Sequence, residues 1–337
     1  MQTGPPVIHT TGRPGAAGDL AASSLDSVLR SPVTLRWVAL ASLVVNVVLV
    51  FTGGAVRLTG SGLGCPTWPK CTNSSYVTTS AMGYHGVIEF SNRIFGVLVG
   101  ILVVVAVLLA LLQPVRDRRQ IGWSVAMLMT IPAQAVVGGI TVLTKLNPWV
   151  VACHFLFSMV IIVVAYRMWL ATREPGGPVR WLISAPVRAL NWLLLVVTAV
   201  VLAAGTVVTG SGPHAGDATA HRTGLDPGMV AQLHADLVML LIGLSVAWCF
   251  ALWAIGAPRQ TRRAGVVLVG VELAQGVIGF VQYFTHLPSL LVAVHLIGAC
   301  AVWLAALRTQ SAGRVREPEA AAEAVPAPTL PAAASAR

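Results

Sequence analysis

Charge is what this chain has least of. Asp, Glu, Lys and Arg make up only 10% of its 337 residues, where a soluble domain carries about a quarter, so a water-soluble globular fold is excluded. Acidic residues are scarcer still, 12 against 22 basic, leaving a net charge of +10. The first 35 residues are rich in Gly, Ser, Ala and Pro and have no apolar core, so no cleavable signal peptide is evident. Cysteine is limited to five positions. Cys153, Cys249 and Cys300 fall within apolar runs, where a thiol packs as a small hydrophobe.

What the chain has is apolar sequence: 56% of its residues and a mean hydropathy of +0.78. Eight runs are long enough to cross a bilayer, which takes roughly 20 residues each. They lie near 37–56, 86–112, 121–143, 149–170, 189–208, 229–256, 264–284 and 289–307. The fold class is therefore an all-α polytopic membrane protein. Basic residues alternate with the spans: Arg116, Arg118 and Arg119 follow the second, Arg173, Arg180 and Arg188 the fourth, and Arg259, Arg262 and Arg263 the sixth. The opposite side has only Arg57, Lys70, Lys145 and Arg222. The positive-inside rule then places both termini in the cytoplasm of a cell-membrane protein. The basic surplus reads as topology and contact with anionic lipid, not nucleic acid. Residues 1–35 and 309–337 read as disordered cytoplasmic tails, 172–188 as a cytoplasmic linker, and 36–171 and 189–308 as two halves of four spans.

The two halves repeat one another. Residues 133–154, AQAVVGGITVLTKLNPWVVACH, reappear at 274–295 as AQGVIGFVQYFTHLPSLLVAVH, so Gln134 maps onto Gln275 and His154 onto His295 at an offset of 141. A TGSG tetrapeptide at 59–62 recurs at 209–212, at an offset of 150. Because each half enters from the cytoplasm, the expectation is two tandem four-helix bundles about a pseudo-twofold axis along the membrane normal.

His154, His234 and His295 lie at matching depth, a few residues into their spans from the outer end. His234 and His295 can face each other across the second bundle, a geometry that suits the axial positions of a haem iron. Zinc would want three or four close ligands, and the apolar slot lacks the extra thiolates or carboxylates. His214, His221 and His286 fall in outer loops, as solvated surface or propionate contacts. In span two, YHGVIEFSNRIFG puts His85, Glu89 and Asn92 on one helical face. Glu89 has His85 and Arg93 one turn away on either side, as a structural ion pair or as an acid/base group beside a substrate. Asn92 aligns with His234, so the first half has lost an imidazole that the second keeps. Glu272 has no counterpart in the first half, where Ile131 stands, and no assigned role. In the outer loop GCPTWPKC, Cys65 and Cys71 lie where the compartment permits oxidation. A disulfide is expected, with two free thiols or a redox-active pair as the alternatives.

RLTGSGLGCPTWPKC, IEFSNR, the two AQ(A/G)V(V/I)G segments and the three histidines together resemble the haem A synthase family over about residues 36–308. The resemblance implies an oxidoreductase that converts the ring C8 methyl of haem O to a formyl group. It implies a haem b cofactor ligated by His234 and His295 in the second half, with haem O received in the first and Glu89 important to the chemistry. Haem O synthase and cytochrome oxidase assembly factors are implied as partners. One departure stands out. The family pattern Glu-x-x-His-Arg reads Glu89-Phe90-Ser91-Asn92-Arg93 here, which leaves three arrangements for the substrate iron: His154 alone, His154 with His85, or another five-coordinate site. A quinone-linked b-type cytochrome that only carries electrons, or a transporter built on the duplicated bundles, are the competing readings.

Overall fold

A computed structural model describes residues 26–318. The parts of the two tails at 1–25 and 319–337 lie outside the described residues. Eight long helices make up most of the described residues. They are α1 (Pro32–Leu58), α2 (Gly83–Leu112), α3 (Arg118–Leu143), α4 (Pro148–Ala171), α5 (Ala185–Ser211), α6 (Pro227–Ala254), α7 (Arg259–Phe284) and α8 (Ser289–Ala312). All eight are long and apolar enough to cross a membrane. In hydrocarbon a helix is stable because it satisfies its own backbone polar groups. The side chains left outward are what lipid requires, with Val97, Leu98, Ile101, Phe250 and Phe284 all exposed.

Helix starts are set by polar caps followed by proline. Ser31 accepts from Val33 N, Asn147 from Trp149 N and Asp226 from Met229 N, and Pro32, Pro148 and Pro227 follow. A proline there loses no helical hydrogen bond, because the first turn's N–H groups have no intrahelical partner.

In the first half each helix packs on its ring neighbours, α1 on α2, α2 on α3, α3 on α4 and α4 on α1; α5 to α8 repeat the arrangement. Between the halves α1 meets α8, α4 meets α5 and α4 meets α8. Exchanging the halves leaves this pattern unchanged. The turns repeat as well: Lys145–Leu146 and His286–Leu287 are both left-handed, with φ of 54° and 58° in the first pair and 63° and 60° in the second. Such angles cost a side-chain-bearing residue of order 1 kcal/mol or more each, and both copies keep them at the same offset of 141.

The seam between the halves is stitched by polar bonds. Trp303 donates its indole N–H to the Met159 carbonyl (3.0 Å), and the Tyr166 and Ser311 hydroxyls meet at 2.7 Å. At the C-terminal end of α1, Arg57 donates to the carbonyls of His214 (2.5 Å) and Thr209 (2.7 Å) in the other half.

The structure moves the inner ends of both assigned tails. Residues 26–29 form a helical turn and α1 begins at Pro32, so the first tail stops short of 35. Residues 309–312 complete α8, and β2 (Arg314–Arg316) pairs antiparallel with β1 (Val179–Trp181) inside the linker. Glu174 lies beside this ribbon within 3.5 Å of Arg119, Arg314 and Arg316, and these ion pairs order a segment whose composition alone argues for disorder.

Candidate functional site

In the second bundle His234 stands on the second turn of α6 and His295 on the second turn of α8. Each ring lies edge-on against a glycine of the preceding helix. A Cβ added to Gly205 of α5 would come 3.2 Å from Cε1 of His234, and one added to Gly279 of α7 would come 3.2 Å from Cε1 of His295. The first half repeats the notch once, with a Cβ on Gly138 of α3 falling 3.0 Å from Cε1 of His154. Gly138 and Gly279 are themselves repeat equivalents.

In all three histidines Nδ1 is fully buried without a hydrogen-bond partner among the described residues, while the residue as a whole is only half-buried. The accessible edge of each ring is therefore the one bearing Nε2. His234 faces the Val201 carbonyl, one turn before Gly205, and His295 lies within electrostatic reach of His234. A ring with Nδ1 buried and Nε2 at its accessible edge has Nε2 as the nitrogen available to an axial iron. Among the described residues no group of three or more His, Cys, Asp or Glu could hold a bare metal ion. A porphyrin fills the equatorial positions of its own iron and asks the protein for axial imidazole alone, so this donor set fits a haem.

The duplicated glutamines explain the spacing of twenty. Gln275 donates to the His295 carbonyl (2.7 Å). Gln134 donates to the His154 carbonyl (3.3 Å) and to Ser158 Oγ (2.7 Å). Each fixes the helix that carries the histidine to the helix that carries its glycine notch. The repeat pointed to these glutamines, but the bond itself was not readable from spacing.

On α2 the four residues singled out from the sequence divide among three settings. Asn92 accepts a hydrogen bond at Oδ1 from the Thr52 hydroxyl of α1 (2.7 Å). His85, two turns nearer the start of α2, is instead engaged at Nδ1 by Ser61 Oγ (3.0 Å) and stacks on Tyr84. It lines a cavity of about 500 Å³ with Gly60, Leu63, Met82 and Asp217. Glu89 is 6% exposed, and both its oxygens are taken: Oε1 by Arg93 (2.6 Å) and Oε2 by the backbone N–H of Cys65 (2.5 Å). Arg93 also donates to the carbonyls of Cys65, Thr67 and Lys70. Glu89 and Arg93 thus clamp the loop that the Cys65–Cys71 disulfide closes. Both sulfur-bearing residues are wholly buried. From the same loop Trp68 packs on Gly139 of α3, where no Cβ would fit, beside the Gly138 that notches His154. Neither Trp68 nor the bridging Arg57 announces itself in the sequence, because each acts through a contact distant along the chain. In the second bundle Glu272 accepts from Ser245 (2.8 Å), and its other oxygen is buried without a partner among the described residues.

Known proteins resemble this chain over parts of its length. A haem A synthase of Geobacillus kaustophilus is 30% identical over 139 residues, covering 40% of this chain and 41% of that protein. A haem A synthase of Lysinibacillus sphaericus is 30% identical over 143 residues, covering 42% and 46%. The matched stretch thus spans less than half the length of these relatives. The family described as COX15-CtaA, cytochrome oxidase assembly protein, matches residues 36–307, the whole of the paired bundles apart from their outermost ends. The chain is a multi-pass membrane protein of the COX15-CtaA cytochrome oxidase assembly family.

Proposed function

We propose that this chain is a haem A synthase, oxidising the ring C8 methyl of haem O to a formyl group. The observation that carries the reading is the His234–His295 pair, two imidazoles on helices of one bundle, each seated against a glycine with its Nε2 edge free. The named activity of the Geobacillus and Lysinibacillus relatives supports it. In this reading His234 and His295 hold a haem b, and the first bundle, with His154, Asn92 and Arg93, receives haem O. The halves are related by a pseudo-twofold axis along the membrane normal, both termini are cytoplasmic, and the Cys65–Cys71 loop faces outward. Haem O synthase would supply the substrate, and oxidase assembly factors would take the product.

When bound, haem b supplies one-electron redox capacity that no side chain here provides. The chain's own residues hold and position. Gly205 and Gly279 fix the ring planes, Gln275 holds α8 on α7, and the apolar slot excludes water. Converting the methyl to a gem-diol would take two successive hydroxylations, each removing two electrons from the carbon to an oxidant from outside this chain, and the gem-diol would lose water to give the aldehyde. Glu89, one turn before Asn92 on α2, would stabilise positive charge developing on the substrate or accept a proton from water. Arg93 and the Cys65 N–H hold that carboxylate in place.

The test is the pigment of the purified full-length protein after coexpression with a source of haem O. Haem b together with formyl haem supports the synthase. Haem b alone favours an electron carrier, and a colourless protein favours a transporter and overturns the reading.

A further inference from the structure

Three of the four repeat-related positions in the two bundles hold an imidazole edge-on to a glycine: His154 on Gly138, His234 on Gly205 and His295 on Gly279. The fourth differs on both sides of the contact. Asn92 replaces the histidine, and at the offset of 150 that relates the two TGSG segments, Gly205 corresponds to Ala55. At Gly205 a Cβ would crowd the imidazole at 3.2 Å; in the first half that Cβ is present and the ring is gone. A tether has been added as well. Thr52, whose counterpart by the same offset is Leu202, gives its hydroxyl to Asn92 Oδ1 at 2.7 Å. The position has been rebuilt around a carboxamide.

His85 does not make up the loss. It lies seven residues before Asn92, roughly 10 Å up the helix axis, and its Nδ1 is taken by Ser61 at the wall of the cavity it lines. The amide of Asn92 remains. Its oxygen is committed to Thr52, whereas its Nδ2 has no partner and is not enclosed among the described residues, so the N–H groups face accessible space. One turn further along the same face, Gly96 has nothing among the described residues within 4 Å of where a Cβ would stand. A carboxamide is a poor ligand for haem iron but a good hydrogen-bond donor.

We propose that the first bundle gives its porphyrin iron a single protein ligand, His154, and leaves the opposite face open to a small exogenous ligand, water or a diatomic, which Asn92 Nδ2 receives as a hydrogen-bond donor. This rests on the functional reading above, since it presumes that both bundles take a porphyrin. It makes the halves unlike in kind: the second is closed at both axial positions, and the first is open at one. Thr52 is a positioning residue, holding the Asn92 amide so that its nitrogen faces the slot.

The experiment loads the full-length protein with iron protoporphyrin, reduces it, and titrates it with carbon monoxide while recording the optical and infrared spectra. The expected result is two haems per chain and one carbon monoxide per two haems, with a C–O stretch that moves upward in Asn92→Leu and in Thr52→Val. The paired variant Asn92→His with Ala55→Gly restores the notch and should turn the first haem low-spin and abolish carbon monoxide binding. Two low-spin haems that refuse carbon monoxide in the unmodified protein overturn the inference alone, leaving the haem-binding reading intact. Carbon monoxide bound with the same stretch in Asn92→Leu overturns the donor role. A single haem that persists after His154→Ala removes the first slot as a porphyrin site, and a protein that takes up none sinks both readings.

Discussion

On the function proposed above, Gly279→Ala should weaken the second bundle's hold on haem without loosening the fold. The new methyl would sit 3.2 Å from Cε1 and 3.8 Å from Nδ1 of His295. Carbon atoms rest at about 3.5–4.0 Å, so the ring has to retreat by roughly 0.5 Å. The Gln275 bond to the His295 carbonyl opposes movement of the backbone behind it. Crowding of that size costs about 1–3 kcal/mol. Because it acts on the orientation of a ligand, it should appear as a loss of roughly 5- to 150-fold in haem affinity. The helix itself gains, since alanine is favoured over glycine by about 1 kcal/mol in a helix interior. Gly270→Ala on the same helix is the control, because a Cβ there meets nothing among the described residues within 4 Å. The assay is transfer of haem to a scavenging apoprotein, read beside thermal unfolding in the same detergent. Equal transfer rates for the two variants would refute the notch as the device that orients His295.

Two further outcomes follow. Cys65→Ser with Cys71→Ser opens a loop of sequence separation 6 and should cost about 2 kcal/mol by loop-closure entropy; because both cysteines are fully buried, the native protein should resist a mild thiol reductant, and rapid reduction without unfolding would point to a cycling pair. Glu89→Gln offers one acceptor where the carboxylate offered two, and removes the charge. The expected result is an unchanged haem b spectrum with formyl haem lost, and an undiminished formyl yield would reject the role proposed for Glu89.

The eight spans were legible because twenty apolar residues in a row admit few other readings, but their ends were not. Span one was placed at 37–56 and runs Pro32–Leu58; the missing first turn holds Pro32 and Arg36, polar or helix-breaking by composition yet natural at a capped start. The sequence repeat, with His154 and His295 as its matched histidines, was readable from two aligned segments, and His234 from its matching depth in span six. What those segments could not carry was which partner each side chain meets. His85 and Glu89 share a helical face with Asn92, yet Ser61 draws His85 to the cavity at the start of α2 and Cys65 draws Glu89 beneath the disulfide loop. Those partners come from a loop whose path is fixed by Trp68 on Gly139 and by Arg93, contacts that no local pattern encodes.

The ribbon joining Val179–Trp181 to Arg314–Arg316 has a temporal side. A chain leaving the ribosome makes the linker strand while four helices are still unsynthesised, and Glu174 must wait for Arg314 and Arg316 to emerge. The junction between the halves can lock only after the eighth helix has entered the bilayer. A label or fusion placed directly behind Ala312 would therefore fall at the start of that late latch, beside Arg314 and Arg316.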